Sequence, residues 1–447
     1  MIGFETIGNA TVTVFDDIPV LTTDPWIDGK PYFGSWAHQR KIPKEQHENI
    51  IKSKYVWLSH GHPDHIDNES LKHFKNSIFL IPDHYGERIF TDFNNSYRTI
   101  KIKSNTWFEI SKNIRIKSFS DFNQDASLII EIMGKDIILN VNDGSLLGWK
   151  STIKKIVKNY KNRFLLKLVS WGDADMINIY DENGNFIKPP YAHKPPLGKR
   201  YSQLLKNFGC NFAIPFSSMH KYSRSDSIHM NEFVAEIEEH HNSFVEDEGN
   251  LLPAYIFWDS IQEDYKEIKT ERNKQNILTP ELCGDNYSDQ LSTKDKQIIS
   301  KYFNGFEGLA KYFEFITFRV GKSDFNIKLS KINNGCGIIF ECPRNSLMIA
   351  IKYEIFDDLL IGNFMKTTII GHKGLHPYFT PYVTKYGDNG KAKSLEELSD
   401  YFNFYKLNTA NYWMDLLQYK SEAILRDFAG EKSNFIVTAK KIKDRYF

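Results

Sequence analysis

Three of the 14 histidines of the chain stand within the nine residues Ser59–Asp67. His60 and His62 are two positions apart, so in an extended segment their side chains point the same way. Asp64 and His65 follow in the next turn and can reach the same point. Because a metal ion needs several converging donor atoms, this spacing predicts a metal centre.

The segments on either side of this loop would hold it in place. Tyr55–Leu58 is a short apolar run that predicts a buried strand. From Asn68 onward, Leu71 and Phe74 predict a helix with Asn68 as its cap. The candidate donors therefore lie on a strand-to-helix loop, a position where a rigid scaffold often holds functional residues.

Two more candidate donors follow later strands. The runs at 126–132 and 136–141 are apolar and separated by a Gly-Lys turn, so they predict a hairpin. Asp143 comes after its second strand, and His220 follows a short apolar strand at 211–215. Taken alone, Asp143 would be a turn residue of an Asn-Asp-Gly sequence. Beside the histidine loop, we expect both residues to be ligands.

Composition excludes several classes of function. The 57 Lys and Arg balance 56 Asp and Glu, so no overall charge favours nucleic acid or a membrane surface. The N-terminus has no basic and apolar leader, and no stretch approaches the length of a membrane span. We therefore expect a cytoplasmic protein without a membrane segment. The four cysteines form no C-x-x-C pair, so no Fe-S cluster or zinc ribbon is expected within this chain.

The length of 447 residues suggests more than one domain. The pattern predicts a catalytic domain over 1–250 and an α+β region over 251–447 that either recognises substrate or extends the fold. Residues 230–247 are acidic and predict a helix, and the polar stretch 262–300 predicts a joint between the two parts.

The loop sequence His-x-His-x-Asp-His is the signature of the metallo-β-lactamase superfamily, which the chain resembles. Further motifs resemble the catalytic domain of CMP-N-acetylneuraminate hydroxylases. These motifs are Asp24–Ile27, Trp57–His65, Asp125–Glu131, Ala213–Phe216 and Phe356–Gly362. The resemblance implies an α/β fold, an αββα sandwich with its metal site at one edge. It also implies that Asp143 bridges two ions and that His220 is the last histidine ligand.

One ligand of the superfamily pattern is missing. A histidine is expected just before the strand at 126–132, yet no histidine lies between His84 and His193. Asp121 and Asp125 are the nearest residues that could bind a metal, and we assign the place to Asp121. The alternative is that Asp121 is a surface turn residue and that one metal site is weak or empty.

The resulting assignment gives two metal ions. The first would have His60, His62 and Asp121 as ligands. The second would have Asp64, His65 and His220, with Asp143 between the two ions. Two imidazoles and a carboxylate on each ion favour iron, with zinc or manganese as alternatives.

Residues near the expected pocket mouth suggest how a substrate binds. Tyr222 and Arg224 closely follow His220, and the planar guanidinium of Arg224 suits phosphate or carboxylate. An ion pair of Arg224 with Asp226 is an equal alternative. His193 lies on a Pro-rich loop that could form a basic lid. Asp357 and Asp358, which follow Phe356 in the last of these motifs, are interpreted as a helix cap.

These features predict a metalloenzyme in which Asp64 and Asp143 are catalytic. The leading hypothesis is a di-iron oxygenase that hydroxylates a small polar substrate, anionic or similar to a sugar nucleotide. Its electrons would come from a separate donor protein or from the substrate. The second hypothesis is a hydrolase of the phosphodiesterase, lactonase or amidase type that uses metal-bound hydroxide. The third is a binding protein with a vestigial metal site.

Overall fold

The fold is known from a computed structural model of the full chain. The structure describes residues 1–170, 176–194, 196–217, 219–274, 276–330, 335–376, 378–383, 392–413, 416–417 and 421.

The N-terminal strands form a mixed sheet, the first sheet, with eight strands among the described residues. Its first three strands in the chain are antiparallel neighbours, and the next three add in parallel. The last two strands pair antiparallel at the other edge. The strand order is Asp264–Glu267, Ile256–Asp259, Ile2–Ile7, Thr11–Asp16, Ile18–Thr23, Tyr55–Trp57, Ile78–Pro82 and Arg98–Ile102.

A second mixed sheet, the second sheet, has seven strands in the described part of the chain. The predicted hairpin at 126–132 and 136–141 is present and lies at its middle. The strand order is Asn250–Leu251, Phe212–Pro215, Asn162–Lys167, Asp136–Asn142, Ala126–Ile132, Ile114–Ser120 and Trp107–Glu109.

The two sheets pack face to face over one apolar core. Phe4 and Leu21 of the first sheet and Leu128 and Ile138 of the second sheet are fully buried in it. Each such side chain contributes about 1.5–3 kcal/mol on burial. The alternating pattern of these strands leaves a second apolar face on each sheet, and helices must cover it.

Helices cover both outer faces. Ile50, Leu71 and Phe93 pack from three helices onto the first sheet. Ile153 and Leu205 pack from two helices onto the second sheet. The helices are Lys44–Ile51, Asn68–Leu71, Arg88–Asn94, Lys150–Val157 and Leu197–Phe208. The predicted αββα sandwich is therefore confirmed.

A third sheet with a separate apolar core follows in the chain. Its strand order is Ile179–Tyr180, Lys366–Ile370, Gly337–Glu341, Phe315–Val320 and Ser323–Lys328. The helices of this part are Thr293–Asn304, Arg344–Tyr353, Phe356–Ile361, Thr380–Val383 and Leu395–Asn408. Within the ranges described, no helix is long and apolar enough to cross a membrane.

Short elements complete the chain. Strand Trp36–His38 pairs with His220–Tyr222 in a two-stranded ladder. The turn Pro31–Gly34 contains two residues with positive φ, Tyr32 and Phe33. The 3-10 turns are Lys72–Phe74, Tyr85–Glu87, Pro190–His193, Ile228–Phe233, Ile237–His241, Glu246–Glu248, Pro280–Cys283 and Leu309–Lys311.

The structure corrects the predicted acidic helix at 230–247. This segment consists of three 3-10 turns, because Val234 and Glu236 adopt extended backbone conformations between them. Val234 and Ala235 are buried there, so tertiary packing outweighs the helical pattern. The helix after the histidine loop also differs in its cap, which is Asp67 rather than Asn68.

The predicted boundary between 1–250 and 251–447 stays a prediction. Strands Ile256–Asp259 and Asp264–Glu267 join the first sheet, so sheet hydrogen bonding continues past residue 250. Apart from Phe33, Met176 and Ile179, the residues of the third-sheet core come from Leu291 onward.

A buried amide ties the third sheet to the sandwich. The Oδ1 atom of Asn363 accepts hydrogen bonds from the backbone N–H groups of Ile177 and Asn178, at 2.7 and 3.0 Å. Its Nδ2 group donates to Tyr222 Oη at 2.7 Å and to the Ile361 carbonyl at 2.8 Å. Asn363 is fully buried, so each of these partners depends on it.

We predict that Asn363→Ala lowers the free energy of unfolding by about 3 kcal/mol, because a buried partner left unpaired costs about 1–3 kcal/mol. Urea denaturation followed by circular dichroism measures this change. The control is Asn326→Ala, an exposed amide that donates to Thr317 in the third sheet. It should shift stability by less than about 0.5 kcal/mol. Equal losses in both variants would contradict the prediction.

Candidate metal centre

The histidine loop is held at both ends by secondary structure. It leaves the strand Tyr55–Trp57 and turns sharply, because the His65 and Ile66 N–H groups both donate to the His62 carbonyl at 3.0 Å. The Asp67 carboxylate then caps the next helix. Asp67 and the sharp turn therefore fix the path of the loop between strand and helix.

The three histidine rings of the loop lie together. His60 Nε2 is 2.8 Å from His62 Nδ1, and the ring centroids of His60 and His65 are 4.2 Å apart. His60 and His65 are 3% and 1% exposed. Burial, together with the charges of His65 and His62, holds the pKa of His60 well below its usual value. The His60 ring is therefore neutral, the form that binds a metal.

Asp143 lies where the sequence predicted it, at the end of the strand Asp136–Asn142. Its Oδ2 atom is 3.5 Å from His65 Nε2 and 4.0 Å from His60 Nε2. Its Oδ1 atom accepts a hydrogen bond from Ser217 Oγ at 2.7 Å. The carboxylate thus lies between two imidazoles, with one oxygen anchored by the protein.

Asp64 is bound on both oxygens. Its Oδ2 atom is 3.2 Å from His65 Nε2 and accepts from Asn9 Nδ2 at 2.8 Å. Its Oδ1 atom accepts from Tyr32 Oη at 2.5 Å. Burial by itself would raise the pKa of Asp64, but the charge and hydrogen bond of His65 hold it below the usual range. Asp64 is therefore a carboxylate, in contact with His65.

His220 is an uncharged imidazole with free nitrogens. It is fully buried, and its ring stacks on Trp36 with centroids 3.4 Å apart. Burial lowers the pKa of His220 to about 3, although the charge of Asp64 opposes this shift. Among the described residues, neither ring nitrogen of His220 has a hydrogen-bond partner. A buried imidazole without partners is costly unless it binds a ligand, so His220 fits a metal.

The ring nitrogens of His60 and His65 that point away from Asp143, here called the outer nitrogens, also have partners. His60 Nδ1 is 2.9 Å from Ser59 Oγ and 3.4 Å from Asp125 Oδ1. His65 Nδ1 is 3.5 Å from Asp24 Oδ2. These contacts leave the Nε2 atoms of both rings facing Asp143. Carboxylates in this position orient metal-binding histidines.

The third loop histidine contacts a residue far away in the sequence. His62 Nε2 is 3.2 Å from Asp357 Oδ2, and Asp357 is fully buried. Burial alone would lower the pKa of His62, but the hydrogen bond and charge of Asp357 raise it to about 9. The helix-cap interpretation of Asp357 is wrong, because the helix Phe356–Ile361 begins without a side-chain cap.

The two aspartates before the strand Ala126–Ile132 have different contacts. The Asp121 carboxylate accepts hydrogen bonds from Asn123 N at 2.9 Å and from Ser145 Oγ at 2.6 Å. Burial raises the pKa of Asp121 to about 6. Asp125, rather than Asp121, is the one that approaches His60 Nδ1. The assignment of Asp121 as a ligand stays a prediction. Asp125, the other candidate of this turn, contacts the outer nitrogen of His60, where a carboxylate orients the ring.

The residues expected at the pocket mouth lie elsewhere. Arg224 is fully buried and pairs with Asp226 at 2.8 Å and Asp285 at 2.9 Å, so the ion-pair alternative is confirmed and the guanidinium is not available to a substrate. Tyr222 is also fully buried. Its hydroxyl accepts the hydrogen bond from Asn363, so it belongs to the interior, not to a mouth.

His193 is exposed at the end of the 3-10 turn Pro190–His193. Its role in a basic lid stays a prediction. Part of the Pro-rich segment that carries it is helical, because the helix Leu197–Phe208 begins there.

Sequence reasoning missed several residues around the centre. Tyr32 and Asn9 hold Asp64 by hydrogen bonds. The sequence around Tyr32 does not indicate this role, because Tyr32 and Asp64 are 32 positions apart. Lys167 was also missed. It ends the strand Asn162–Lys167 beside the Asp143 strand, and its Nζ group donates to the Gly144 carbonyl at 2.8 Å.

Lys167 brings positive charge close to the carboxylates. Burial lowers the pKa of Lys167 to about 8, even though the charge of Asp143 opposes this shift. The residue occupies the carboxyl end of a parallel strand, the edge of a sheet where ligands commonly bind.

The centre fits a metal ion by its geometry. Donor atoms of His60, His65 and Asp143 all lie within 4.8 Å of one another. His62 contacts His60 of this group at 2.8 Å, and Asp64 contacts His65 at 3.2 Å. Imidazoles and carboxylates together suit iron, manganese or zinc.

The topology and this centre decide the fold type. Two mixed sheets pack face to face between helices, and a His-x-His-x-Asp-His loop lies at their edge with an aspartate from the facing sheet. The chain has a metallo-β-lactamase-like fold.

Known proteins with similar sequences are hydroxylases. The chain is 24% identical to cytidine monophosphate-N-acetylneuraminic acid hydroxylase of Cricetulus griseus over 132 residues, which are 27% of this chain and 23% of the hydroxylase. The matched stretch thus spans about a quarter of that relative. The predicted resemblance to this branch is confirmed over that stretch. No model of a known protein family matches the chain.

Solved structures with a similar fold are more distant. Igni18, a metallo hydrolase from the archaeon Ignicoccus hospitalis, is 13% identical with a TM-score of 0.37, over 60% of this chain and 99% of that one. A mutant of the β-hydroxylase CmlA is 11% identical with a TM-score of 0.32, over 48% of this chain and 45% of that one.

Replacing each of the two competing aspartates should identify the missing ligand. If Asp121 has the role assigned to it, Asp121→Ala lowers the bound metal from about two ions per chain to about one. Asp125→Ala is the matched variant, from the same turn and also buried. Elemental analysis of both proteins measures the change. A loss confined to Asp125→Ala would contradict the assignment to Asp121, and unchanged stoichiometry in both would exclude both aspartates.

Proposed function

We propose that this chain is a metal-dependent enzyme that hydroxylates a small polar substrate at a dinuclear centre. The observation that carries the proposal is the mixed set of donors. In this proposal, His60, His62 and Asp121 would hold one ion, Asp64, His65 and His220 would hold a second, and Asp143 would lie between them. Each ion would then have two imidazoles with carboxylates beside them, a set that favours iron.

The reaction must balance in atoms and electrons. Hydroxylation inserts one oxygen atom of O₂ into a C–H bond, and the other leaves as water. Two electrons and two protons are consumed. We propose that a separate donor protein supplies the electrons. Bound iron would supply the redox chemistry, and the protein would hold the ions, exclude bulk water and bind the substrate.

Specific residues would perform these tasks. Asp64 and Asp143 both approach His65 Nε2, at 3.2 and 3.5 Å, and both are fixed by hydrogen bonds from Tyr32, Asn9 and Ser217. They are therefore suited to hold and move a proton at the centre. Lys167 brings a positive charge near Asp143, which suits an anionic group on the substrate. A sugar nucleotide such as the compound named by the relatives carries such a group.

Hydrolysis is the second candidate. The observation that favours it is the position of Asp143, whose Oδ2 atom lies 3.5 Å from His65 and 4.0 Å from His60. A carboxylate there can orient water, and bound metal ions lower the pKa of water to about 7. A phosphodiester, lactone or amide would be the substrate.

Metal content and oxygen uptake distinguish the two candidates. We expect protein produced without added metal to contain about two iron ions per chain. It should consume O₂ when given a reductant and cytidine monophosphate-N-acetylneuraminic acid or a related sugar nucleotide. His60→Ala, measured in parallel, should abolish this uptake. Two zinc ions, no O₂ consumption and turnover of a phosphodiester, lactone or amide would instead establish the hydrolase.

A further inference from the structure

The helix Phe356–Ile361 is buried along its whole length against the sandwich. It belongs to the core of the third sheet through Phe356 and Leu359. Just after it, Phe364 packs on Phe33 with centroids 6.0 Å apart and lies under the Arg224 guanidinium. These contacts fix the helix next to the histidine loop.

The helix carries one carboxylate, that of Asp357, into the protein interior. Asp357 is fully buried, so its charge is costly unless a partner compensates it. Its Oδ2 atom contacts His62 Nε2 at 3.2 Å. Its Oδ1 atom has no hydrogen-bond partner in the described part of the chain. The nearby helix therefore offers a buried carboxylate that contacts a histidine of the centre.

The two nitrogens of His62 point in different directions. Nδ1 is 2.8 Å from His60 Nε2, on the side of the metal centre. Nε2 faces Asp357. An ion bound at Nδ1 would replace the proton there, while the Nε2–H group goes on donating to Asp357. The carboxylate thus holds the ring with Nδ1 toward the metal centre.

The same arrangement recurs at the other two loop histidines. Asp125 approaches the outer nitrogen of His60, and Asp24 approaches the outer nitrogen of His65. Both of these aspartates come from strands of the sandwich or their turns. Asp357 differs, because it comes from the part of the chain that carries the third sheet.

We propose that Asp357 is a positioning residue that orients His62 for metal binding, and that the region of the third sheet thereby completes the metal centre. This inference rests on the proposed metal-dependent function. It assigns a role to a part of the chain whose sequence carries no ligand motif. Because the same helix is packed into the third-sheet core, metal binding and the docking of that region should stabilise each other.

The test compares Zn²⁺ affinities of variants by competition with a chromogenic chelator. Asp357→Asn keeps the shape of the side chain and removes its charge, and Asp357→Ala also removes the acceptor. We expect affinity to fall about 10–100-fold for one of the two ions, more in the alanine variant. The control is Asp295→Asn, a carboxylate of the same region that pairs with Arg344 at 2.8 Å. It should bind Zn²⁺ like the wild type.

A second cluster of possible metal ligands could add to the measured Zn²⁺ binding and must be eliminated. Asp28, His47 and His73 also bring donor atoms within 4.8 Å of one another, a set that shares no residue with the metal centre. All proteins in the comparison should therefore carry His73→Ala. Thermal unfolding without metal should give equal midpoints for Asp357→Asn and Asp295→Asn, which separates metal affinity from stability.

Hydrogen exchange of the wild-type chain provides a second test that needs no variant at Asp357. Zn²⁺ should slow exchange in the helix Phe356–Ile361 and leave the helix Thr293–Asn304 unchanged. Unaltered exchange in Phe356–Ile361, or equal affinity in Asp357→Asn and wild type, would overturn the role of Asp357. If the wild type binds no ion at the histidine loop, the proposed function itself fails, which is a distinguishable result.

Discussion

The structure depends on the burial of carboxylates beside histidines at one edge of the sandwich. Asp24, Asp64, Asp125 and Asp357 are nearly or fully buried, and each lies beside a histidine ring of the loop. A carboxylate without a partner would cost several kcal/mol in such surroundings. The pairs therefore constrain each other, and the ring orientations follow from where the carboxylates are fixed.

The fold delivers these groups through the ends of its strands. Asp24 follows Ile18–Thr23, and the histidine loop follows the parallel neighbour Tyr55–Trp57. Asp143 follows Asp136–Asn142 in the facing sheet. Because neighbouring parallel strands end at the same edge, their following loops meet there without long insertions. The sandwich core between the sheets keeps this edge rigid.

The third-sheet region does more than extend the fold, because it contacts the histidine loop. Residues expected to bind substrate, Arg224 and Tyr222, instead join this region to the sandwich through Asp285, Phe364 and Asn363. That joint brings the helix Phe356–Ile361 against the histidine loop. The resulting centre is largely buried, and Lys167 brings a positive charge near Asp143.

The sequence by itself determined the local parts: the strand, the loop with His60, His62, Asp64 and His65, and the hairpin that ends at Asp143. Periodicity and motif spacing report on neighbours along the chain, so these predictions agree with the structure. The prediction of a helix over 230–247 was wrong, because the packing of buried extended residues outweighs helical propensity there.

Tertiary structure alone decided which distant groups meet. Asp357 lies 295 positions from His62, and no local pattern records that contact. Whether Asp121 or Asp125 approaches His60 depends on how one turn folds against Ser145. Arg224 became an interior ion pair because Asp285 was packed against it. Such pairings follow from the packing of whole elements, which a single sequence does not display.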